Sequence, residues 1–487
     1  MNYSVVRYIL GWIMVIEAAF MLLPCVVALI YGESQGFAFL WVLLTSALLG
    51  VLNVVKKPKD MTFYVKEGFV TVSLSWFTLS IIGALPFVIN KDIPNFVDAL
   101  FETISGFTTT GASILTDIEA LSQCSLFWRS FTHWIGGMGV LVFLLAIVPM
   151  TGGSHMNLMR AESPGPSVGK LVPKVRETAV ILYGIYVILT VLQVILLCAG
   201  NMGLFESITT AFGTAGTGGF AIRNDSLMSS SPYIQWVVAI FMILFGVNFG
   251  VYFLMLMKKF KQALFHEELR VYLAVIISAV AIIFINVYEA FESIAEALRH
   301  VFFQVSSIIT TTGFATVDYE TWNDTAKTIL VLLMFIGACA GSTGGGIKVS
   351  RFIILVKTMI KELTSYIHPR SVKKIKLEGK MLEHETLRAT NVYFITFMLI
   401  FVTSVFLISF EGKGLVTNFT AVAATINNVG PGLEMVGPTA NFAHFTNFSK
   451  GVLMFDMLAG RLELFPLLLL LCPSCWVAKK RTKNEVV

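Results

Sequence analysis

The chain has 487 residues, of which 56% are hydrophobic and only 13% are charged. Soluble domains carry about 25% charged residues, so this composition excludes a soluble protein of the same size, and it also excludes disordered, collagen and coiled-coil chains. The mean hydropathy of +0.78 indicates a polytopic membrane protein. In that class the positions of charges matter more than the net charge of +5, and no nucleic-acid partner is expected.

Ten apolar runs approach or exceed the roughly 20 residues that a bilayer core about 30 Å thick requires. They lie near residues 5–31, 37–55, 68–90, 127–150, 176–200, 232–257, 268–288, 326–360, 389–410 and 448–476. The run at 326–360 is too long for one span, and glycines interrupt it. The first two runs precede a repeating pattern and are predicted to be two extra N-terminal transmembrane helices.

The distribution of basic residues predicts the orientation. Counted in alternate segments from the N-terminus, 27 of the 35 Lys and Arg residues fall on one side and seven on the other, and Arg461 lies inside the last run. The positive-inside rule places both termini in the cytoplasm of a multi-pass inner-membrane protein. The basic segment 361–388 is expected to contact membrane lipid or to dock a cytoplasmic regulator.

Four outside segments are helix-length and moderately apolar but too short to span. They cover residues 93–107, 203–215, 293–309 and 414–426. Each ends in small polar residues with glycine, and the strings are Thr108–Gly111, Gly216–Gly219, Thr310–Gly313 and Asn427–Gly430. The last glycines of these strings are 108, 94 and 117 residues apart. The chain therefore repeats span, short helix, Gly-containing loop and span four times.

This pattern indicates a pore. Non-helical backbone at membrane depth is tolerated only where it lines water or is buried in protein. Four re-entrant loops around one axis would stack rings of carbonyl oxygens that replace the hydration shell of a monovalent cation. The C-terminal ends of the four short helices would add partial negative charge. The alternative is small-residue helix packing, which does not explain why each string follows a short helix on the same side.

At these residues the chain resembles the Trk/Ktr/HKT superfamily of potassium transporters, most closely the membrane subunit of bacterial Trk uptake systems. The matching stretches are Phe107–Ala112, Gly218–Phe220, Thr310–Phe314, Asn427–Gly432, Gly341–Lys348 and Asp456–Glu463. The resemblance implies an all-α fold with four pseudo-repeats of helix, re-entrant pore loop and helix around one pore. It also implies K⁺ as the transported ion without an organic cofactor, a homodimer, and a cytoplasmic nucleotide-binding regulatory ring as partner.

The resemblance also implies which residues bind potassium. The filter set is Thr109, Thr110, Gly111, Gly218, Gly219, Thr311, Thr312, Gly313, Asn428, Val429 and Gly430. The second string departs from the others because it reads Gly216-Thr217-Gly218, and the fourth has Val429 in place of Thr. The filter is therefore expected to be only pseudo-fourfold, and a less selective monovalent cation channel remains an alternative.

A glycine-rich stretch is the candidate gate below the filter. The gate set is Gly341, Ser342, Thr343, Gly344, Gly345, Gly346 and Lys348, with Arg461 in the last run. Glycine breaks helix at membrane depth, and the resemblance implies a loop that obstructs the pore. A phosphate loop is disfavoured because Ile347 separates Gly346 from Lys348 and no strand precedes the stretch. Arg461 is either a cationic barrier in the pore or the partner of an acidic residue such as Asp456 or Glu463.

The sequence contains no catalytic constellation, so the chain is not expected to be an enzyme. A sodium- or proton-coupled symporter remains an alternative, with Asp456 as the coupling candidate, and a non-transporting receptor is a third. The predicted regions are 1–66 (two N-terminal helices), 67–160, 161–262, 263–378 with the gating loop, and 379–487, the last four each being one pore repeat.

Overall fold

The computed structural model describes residues 1–58, 65–139, 175–370 and 374–476. In this part the chain is helical apart from loops and one short two-stranded hairpin. Six helices are long and apolar enough to cross a membrane, or seven crossings if one bent pair counts as a single span. The prediction of an all-α polytopic membrane protein is confirmed.

Two N-terminal helices, α1 (Tyr3–Tyr31) and α2 (Gly36–Val54), form an antiparallel hairpin. Gly32 ends α1 in the left-handed conformation, with φ of 69°. The helices approach each other closely where Gly11 faces Gly50, since a Cβ added to Gly11 would lie 2.9 Å from the Gly50 carbonyl oxygen. Small residues permit such close crossings within a bilayer.

Four repeats of outer helix, pore helix and second helix follow. The first repeat contains α3 (Val65–Ile89), α4 (Phe96–Phe107) and α5 (Gln123–Met138). The second contains α6 (Val175–Ala199), α7 (Leu204–Ala215) and α8 (Pro232–Gly246), followed by α9 (Phe249–Leu256) and α10 (Phe260–Leu264). The third contains α11 (Glu267–Val287), α12 (Ile294–Ile309), α13 (Asp324–Ile336) and α14 (Val349–Ile367). The fourth contains α15 (His384–Ser409), α16 (Leu415–Ile426), α17 (Asn447–Arg461), α18 (Phe465–Leu470) and α19 (Pro473–Trp476).

Short elements complete the described part. Single 3₁₀ turns occur at Tyr288–Ala290, Tyr319–Thr321 and Glu434–Val436. Strands β1 (Lys376–Leu377) and β2 (Lys380–Met381) pair antiparallel between the third and fourth repeats, with Lys376 opposite Met381.

The helices that follow the pore helices differ from the simple spans that the apolar runs suggest. The run at 232–257 bends by 89° between α8 and α9, where the Asn248 side chain caps α9 by accepting from the Gly250 N–H. The run at 326–360 is divided into α13 and α14 by the glycine-rich stretch, and α17 ends at Arg461. The run at 127–150 is helical to Met138, and its residues from 140 onward lie outside the described part. Apolar composition persisted across these breaks, so hydropathy alone did not locate them.

The four pore helices are α4, α7, α12 and α16, and they lie where the short outside segments were predicted. They have 12 to 16 residues, or about 18–24 Å of helix, which is too short to cross about 30 Å of hydrocarbon. Side chains of Asn95 and Ser293 cap two of them by accepting from the N–H groups of Val97 and Glu296. Their C-terminal halves are buried among the other helices, and each leads directly into a glycine-containing loop.

Candidate functional site

The four pore helices end in the same hydrogen-bonded turn. In the first, the Thr110 N–H donates to the Ser105 carbonyl oxygen at 2.9 Å and the Thr109 N–H donates to Gly106 at 3.1 Å. This pair of bonds is the Schellman motif that ends many helices. In the other three helices the bond equivalent to that between Thr110 and Ser105 is 2.8 Å long. These bonds join the N–H groups of Gly218, Thr312 and Val429 to the carbonyl oxygens of Gly213, Ser307 and Ala424. We call residues 108–111, 216–219, 310–313 and 427–430 the first, second, third and fourth loops. These four loops therefore share one backbone geometry.

One residue of each turn adopts the left-handed conformation without being glycine. These residues are Thr109, Thr217, Thr311 and Asn428, with φ of 55°, 53°, 58° and 54°. A β-branched residue at such a φ is uncommon and costs about 1–3 kcal/mol, so the surrounding contacts must enforce it. Sequence reasoning selected three of these positions and missed Thr217, which aligning the four strings by their last glycine identifies.

The last glycine of each loop also has positive φ and contacts the next loop. A Cβ added to Gly111 would collide with the Gly218 carbonyl oxygen, and one on Gly430 would lie 2.7 Å from the Thr110 carbonyl oxygen. The remaining two contacts join Gly219 to the Thr312 carbonyl and Gly313 to the Val429 carbonyl. The contacts run from first to second, second to third, third to fourth and fourth back to first. The four loops thus form one closed ring in which each glycine faces the carbonyl that precedes the next glycine.

Side-chain hydroxyls brace two of the loops. In the first loop the Thr108 and Thr110 Oγ1 atoms are 2.8 Å apart, and in the third loop the Thr310 and Thr312 Oγ1 atoms are also 2.8 Å apart. The Asn428 Nδ2 group of the fourth loop donates to Thr110 Oγ1 at 2.9 Å. The backbone of these loops is therefore held by partners within the ring as well as by the pore helices.

The second loop has glycine at both positions of the threonine pair because His133 fills that space. A Cβ on Gly218 would collide with the imidazole ring of His133, and one on Gly216 would collide with the His133 carbonyl oxygen. The imidazole of His133 is fully buried. Its Nδ1 lies 2.7 Å from the Gly106 carbonyl oxygen, and its centroid is 4.2 Å from that of the Phe220 ring. His133 belongs to α5, far from the second loop in sequence, and no local motif marks it.

The glycine-rich stretch of residues 341–348 lies directly against two of the loops. We call it the Gly-rich segment. The Gly345 N–H donates to Thr311 Oγ1 at 2.7 Å. A Cβ on Gly344 would lie 3.1 Å from the Thr310 carbonyl oxygen, and one on Gly345 would lie 2.6 Å from that of Asn427. Glycine is required here because any side chain would push the segment away from the loops.

The Gly-rich segment is held at both ends by one carboxylate that the sequence did not single out. Oε1 of the buried Glu268 accepts from the Ala340 N–H at 2.7 Å and from the Ser350 N–H at 3.1 Å. The Lys348 Nζ donates to the carbonyls of Gly344 and Gly345 within the segment. These bonds satisfy backbone groups that would otherwise be unpaired in an apolar environment.

Arg461 connects the Gly-rich segment to α5. Its guanidinium donates to the Thr343 carbonyl oxygen at 2.9 Å, to Gly137 at 2.8 Å and also to Gly136. The last two carbonyls lie at the C-terminal end of α5, where a cation is favoured.

The acidic neighbours of Arg461 have other contacts. Glu463 forms an ion pair with Arg351, and Asp456 Oδ1 accepts from the Ser404 hydroxyl at 2.7 Å.

The Gly-rich segment follows helix α13 and not a strand, which differs from the context of a phosphate loop.

A buried ion pair lies beside the segments that follow the first and second loops. Arg129 in α5 pairs with Glu102 of the first pore helix at 2.7 Å, with both side chains at most 1% exposed. Glu102 also accepts from the Ile114 N–H at 3.0 Å, and Arg129 donates to the Ala221 carbonyl oxygen at 3.2 Å and stacks on the Phe220 ring. The pair therefore joins the segments that follow the first and second loops.

Comparison with known proteins identifies the family. A family model described as a cation transport protein, TrkH, matches residues 35–475. The chain is 37% identical to the Trk system potassium uptake protein TrkH of Salmonella typhimurium, over 98% of this chain and 100% of that protein. It is 34% identical to TrkH of Vibrio parahaemolyticus, over 97% and 99% of the two chains.

A solved structure agrees with this assignment. The crystal structure of the potassium transporter TrkH from Vibrio parahaemolyticus superposes with a TM-score of 0.85 and 32% identity, covering 98% of this chain and 100% of that one. These relatives are named as transport proteins, which confirms that the chain is a transporter and not an enzyme. The chain belongs to the TrkH family of cation transport proteins.

Proposed function

We propose that this protein conducts potassium into the cell through the ring formed by its four loops. The observation that carries the proposal is the cyclic contact of each loop glycine with the carbonyl of the next loop. A closed ring of four similar backbones brings carbonyl oxygens around one axis, as a dehydrated monovalent cation requires. The names of the relatives, which are potassium uptake proteins, favour potassium as the ion.

The backbone of each loop supports this role. Its φ angles alternate, positive at the threonine or asparagine, negative at the next residue and positive at the glycine. Alternating handedness turns successive carbonyls toward the same side of a chain, so each loop can offer more than one oxygen to the axis. The proposed ligands are the carbonyls of Thr109, Thr110, Gly111, Gly218, Gly219, Thr311, Thr312, Gly313, Asn428, Val429 and Gly430, with the pore-helix C-termini adding partial negative charge.

The proposed gate is the Gly-rich segment with Arg461. The segment packs against the third and fourth loops on the side where the pore helices end, so an ion leaving the ring would meet it. The Arg461 guanidinium and the Lys348 ammonium place positive charge on its carbonyls. Conduction then requires the segment to move away from the ring.

We also propose the wider assembly. Both termini lie in the cytoplasm of an inner-membrane protein, and the regions 67–160, 161–262, 263–378 and 379–487 each form one pore repeat after the two helices of 1–66. The relatives are named as Trk system proteins, which supports a protein that works with other Trk components. The proposed partners are a second copy of this chain and a cytoplasmic nucleotide-binding regulatory ring. The basic residues of 361–388 are available to meet it or the membrane lipid.

A coupled symporter is the second candidate, and one observation favours it. Asp456 is fully buried, and its Oδ2 has no hydrogen-bond partner among the described residues. A carboxyl group in that position can take up a proton. This candidate predicts potassium uptake that depends on a sodium or proton gradient at fixed membrane voltage.

The test is ion flux in liposomes that contain the purified protein. We expect rubidium and potassium flux to exceed sodium flux, and Gly313→Ser to reduce that ratio because its Cβ would collide with the Val429 carbonyl. Gly203→Ser is the matched control, since nothing lies within 4 Å of a Cβ at Gly203. An unchanged ratio in Gly313→Ser, with the control also unchanged, would contradict the proposal.

A further inference from the structure

The second loop lacks the side-chain brace of its neighbours. The first and third loops each carry a threonine pair whose hydroxyls hydrogen-bond at 2.8 Å. The second loop has Gly216 and Gly218 at these two positions. The side-chain bond inside this loop, from Thr217 Oγ1 to the Gly216 carbonyl oxygen at 2.6 Å, joins only adjacent residues. Because glycine loses more backbone entropy on ordering than any other residue, this loop needs a further brace from outside itself.

The imidazole of His133 is placed to supply that brace to two loops. It packs against the backbone of Gly218 where a side chain would otherwise lie. Its Nδ1 bonds the Gly106 carbonyl, the same oxygen that receives the Thr109 N–H in the first loop turn. A carbonyl only accepts, so Nδ1 carries the hydrogen and donates it.

We infer that His133 is a positioning residue that sets the ion selectivity of the ring by holding the first and second loops in register. The inference rests on the proposed function. Selectivity depends on the separation and flexibility of the carbonyl oxygens. A ring with one unbraced loop could contract around the smaller sodium ion, and the imidazole opposes this contraction from behind Gly218.

His133 is also connected to the proposed gate. Its helix α5 presents Gly136 and Gly137, three and four residues further on, to the Arg461 guanidinium. A Cβ on Gly137 would lie 2.7 Å from the Cα of Gly216. The same stretch of α5 therefore contacts both the second loop and the proposed gate. A movement of the gate can be transmitted through α5 to the ring of loops.

The experiment compares four variants in liposomes by their ratio of rubidium to sodium flux. His133→Ala removes both the bond and the packing, and we expect the ratio to fall roughly 2- to 10-fold, as for one lost hydrogen bond. His133→Asn keeps a donor near Nδ1 but not the ring, so it should give an intermediate ratio. Gly218→Thr should also lower the ratio, because its Cβ would collide with the imidazole.

The fourth variant, His133→Ala with Gly218→Thr, decides between positioning and mere packing. The threonine can occupy the vacated space and restore the side chain that the first and third loops have. We expect the ratio to recover toward the wild-type value, which makes the two substitutions non-additive. Thermal unfolding is recorded alongside, because a purely structural role would alter stability and leave the ratio in the folded fraction unchanged.

The outcomes separate this inference from the function on which it rests. A wild-type ratio in both folded His133 variants, while Gly313→Ser loses selectivity, would overturn the role of His133 and leave the proposed function standing. A wild-type ratio in Gly313→Ser would overturn both. If His133→Ala does not fold, the intermediate ratio of His133→Asn and the recovery in the double variant still decide the question.

Discussion

The Arg461 guanidinium donates a 2.9 Å hydrogen bond to the Thr343 carbonyl oxygen, so a residue of the last repeat holds the glycine-rich stretch of the third. The same guanidinium bonds the Gly136 and Gly137 carbonyls of the first repeat. Hydrogen bonds from a charged donor contribute about 1.5–3 kcal/mol each. One side chain thus links the Gly-rich segment to the C-terminal end of α5.

We expect Arg461→Ala to raise rubidium flux in liposomes, because it removes the bond to Thr343 and the positive charge below the loops. Arg461→Lys is the matched control: it keeps the charge but replaces the planar fork of donors, so its flux should lie between the two. Equal flux in all three proteins would exclude a gating role for Arg461.

Glu268 should restrain the Gly-rich segment from the other side. Its Oε1 accepts from the N–H groups at both ends, Ala340 and Ser350. We expect Glu268→Ala to raise flux by roughly one order of magnitude, as loss of a charge-assisted hydrogen bond implies, and to speed hydrogen exchange of the amides near 340 and 350.

Glu268→Gln is the comparison for that experiment, because it retains an acceptor oxygen without the charge and should show a smaller increase. Hydrogen exchange read by mass spectrometry locates the effect. Unaltered exchange in Glu268→Ala would show that this carboxylate does not hold the segment.

A side chain on Gly345 should prevent the segment from seating against the fourth loop. The added Cβ would lie 2.6 Å from the Asn427 carbonyl oxygen and 2.7 Å from the Asn428 Cβ. We expect Gly345→Ala to raise flux and to lower stability by about 1–3 kcal/mol, the usual cost of overpacking. Gly451→Ala, where nothing lies within 4 Å of the new Cβ, should leave the flux unchanged and should not lower stability, because alanine is a better helix former than glycine within α17. Wild-type flux in Gly345→Ala would argue that the segment does not obstruct the pore.

The Arg129–Glu102 pair should matter for folding more than for the rate of conduction. Both side chains are buried, so Arg129→Met leaves an uncompensated carboxylate and is expected to destabilise the protein by about 3–5 kcal/mol. Adding Glu102→Leu should recover much of that loss, because the buried charge disappears as well. Thermal unfolding in detergent measures both, and a double variant no more stable than Arg129→Met would contradict this account.

The sequence by itself determined the membrane class, the two extra leading helices, and the four short helices with their glycine-ended strings. It could do so because these features are local: hydropathy over about 20 residues defines a span, and glycine at fixed places in each repeat marks backbone that only glycine adopts easily. The family resemblance carried by those strings is confirmed over residues 35–475.

Only the tertiary structure decided how the pieces meet. The order in which Gly111, Gly219, Gly313 and Gly430 close a ring depends on contacts between residues about a hundred positions or more apart in sequence. The same holds for His133, whose ring explains the glycines of the second loop, and for Glu268, which joins the two ends of the Gly-rich segment. A histidine or a glutamate in an apolar run carries no local signal of its partner, because the partner is brought to it only when the four repeats pack around one axis.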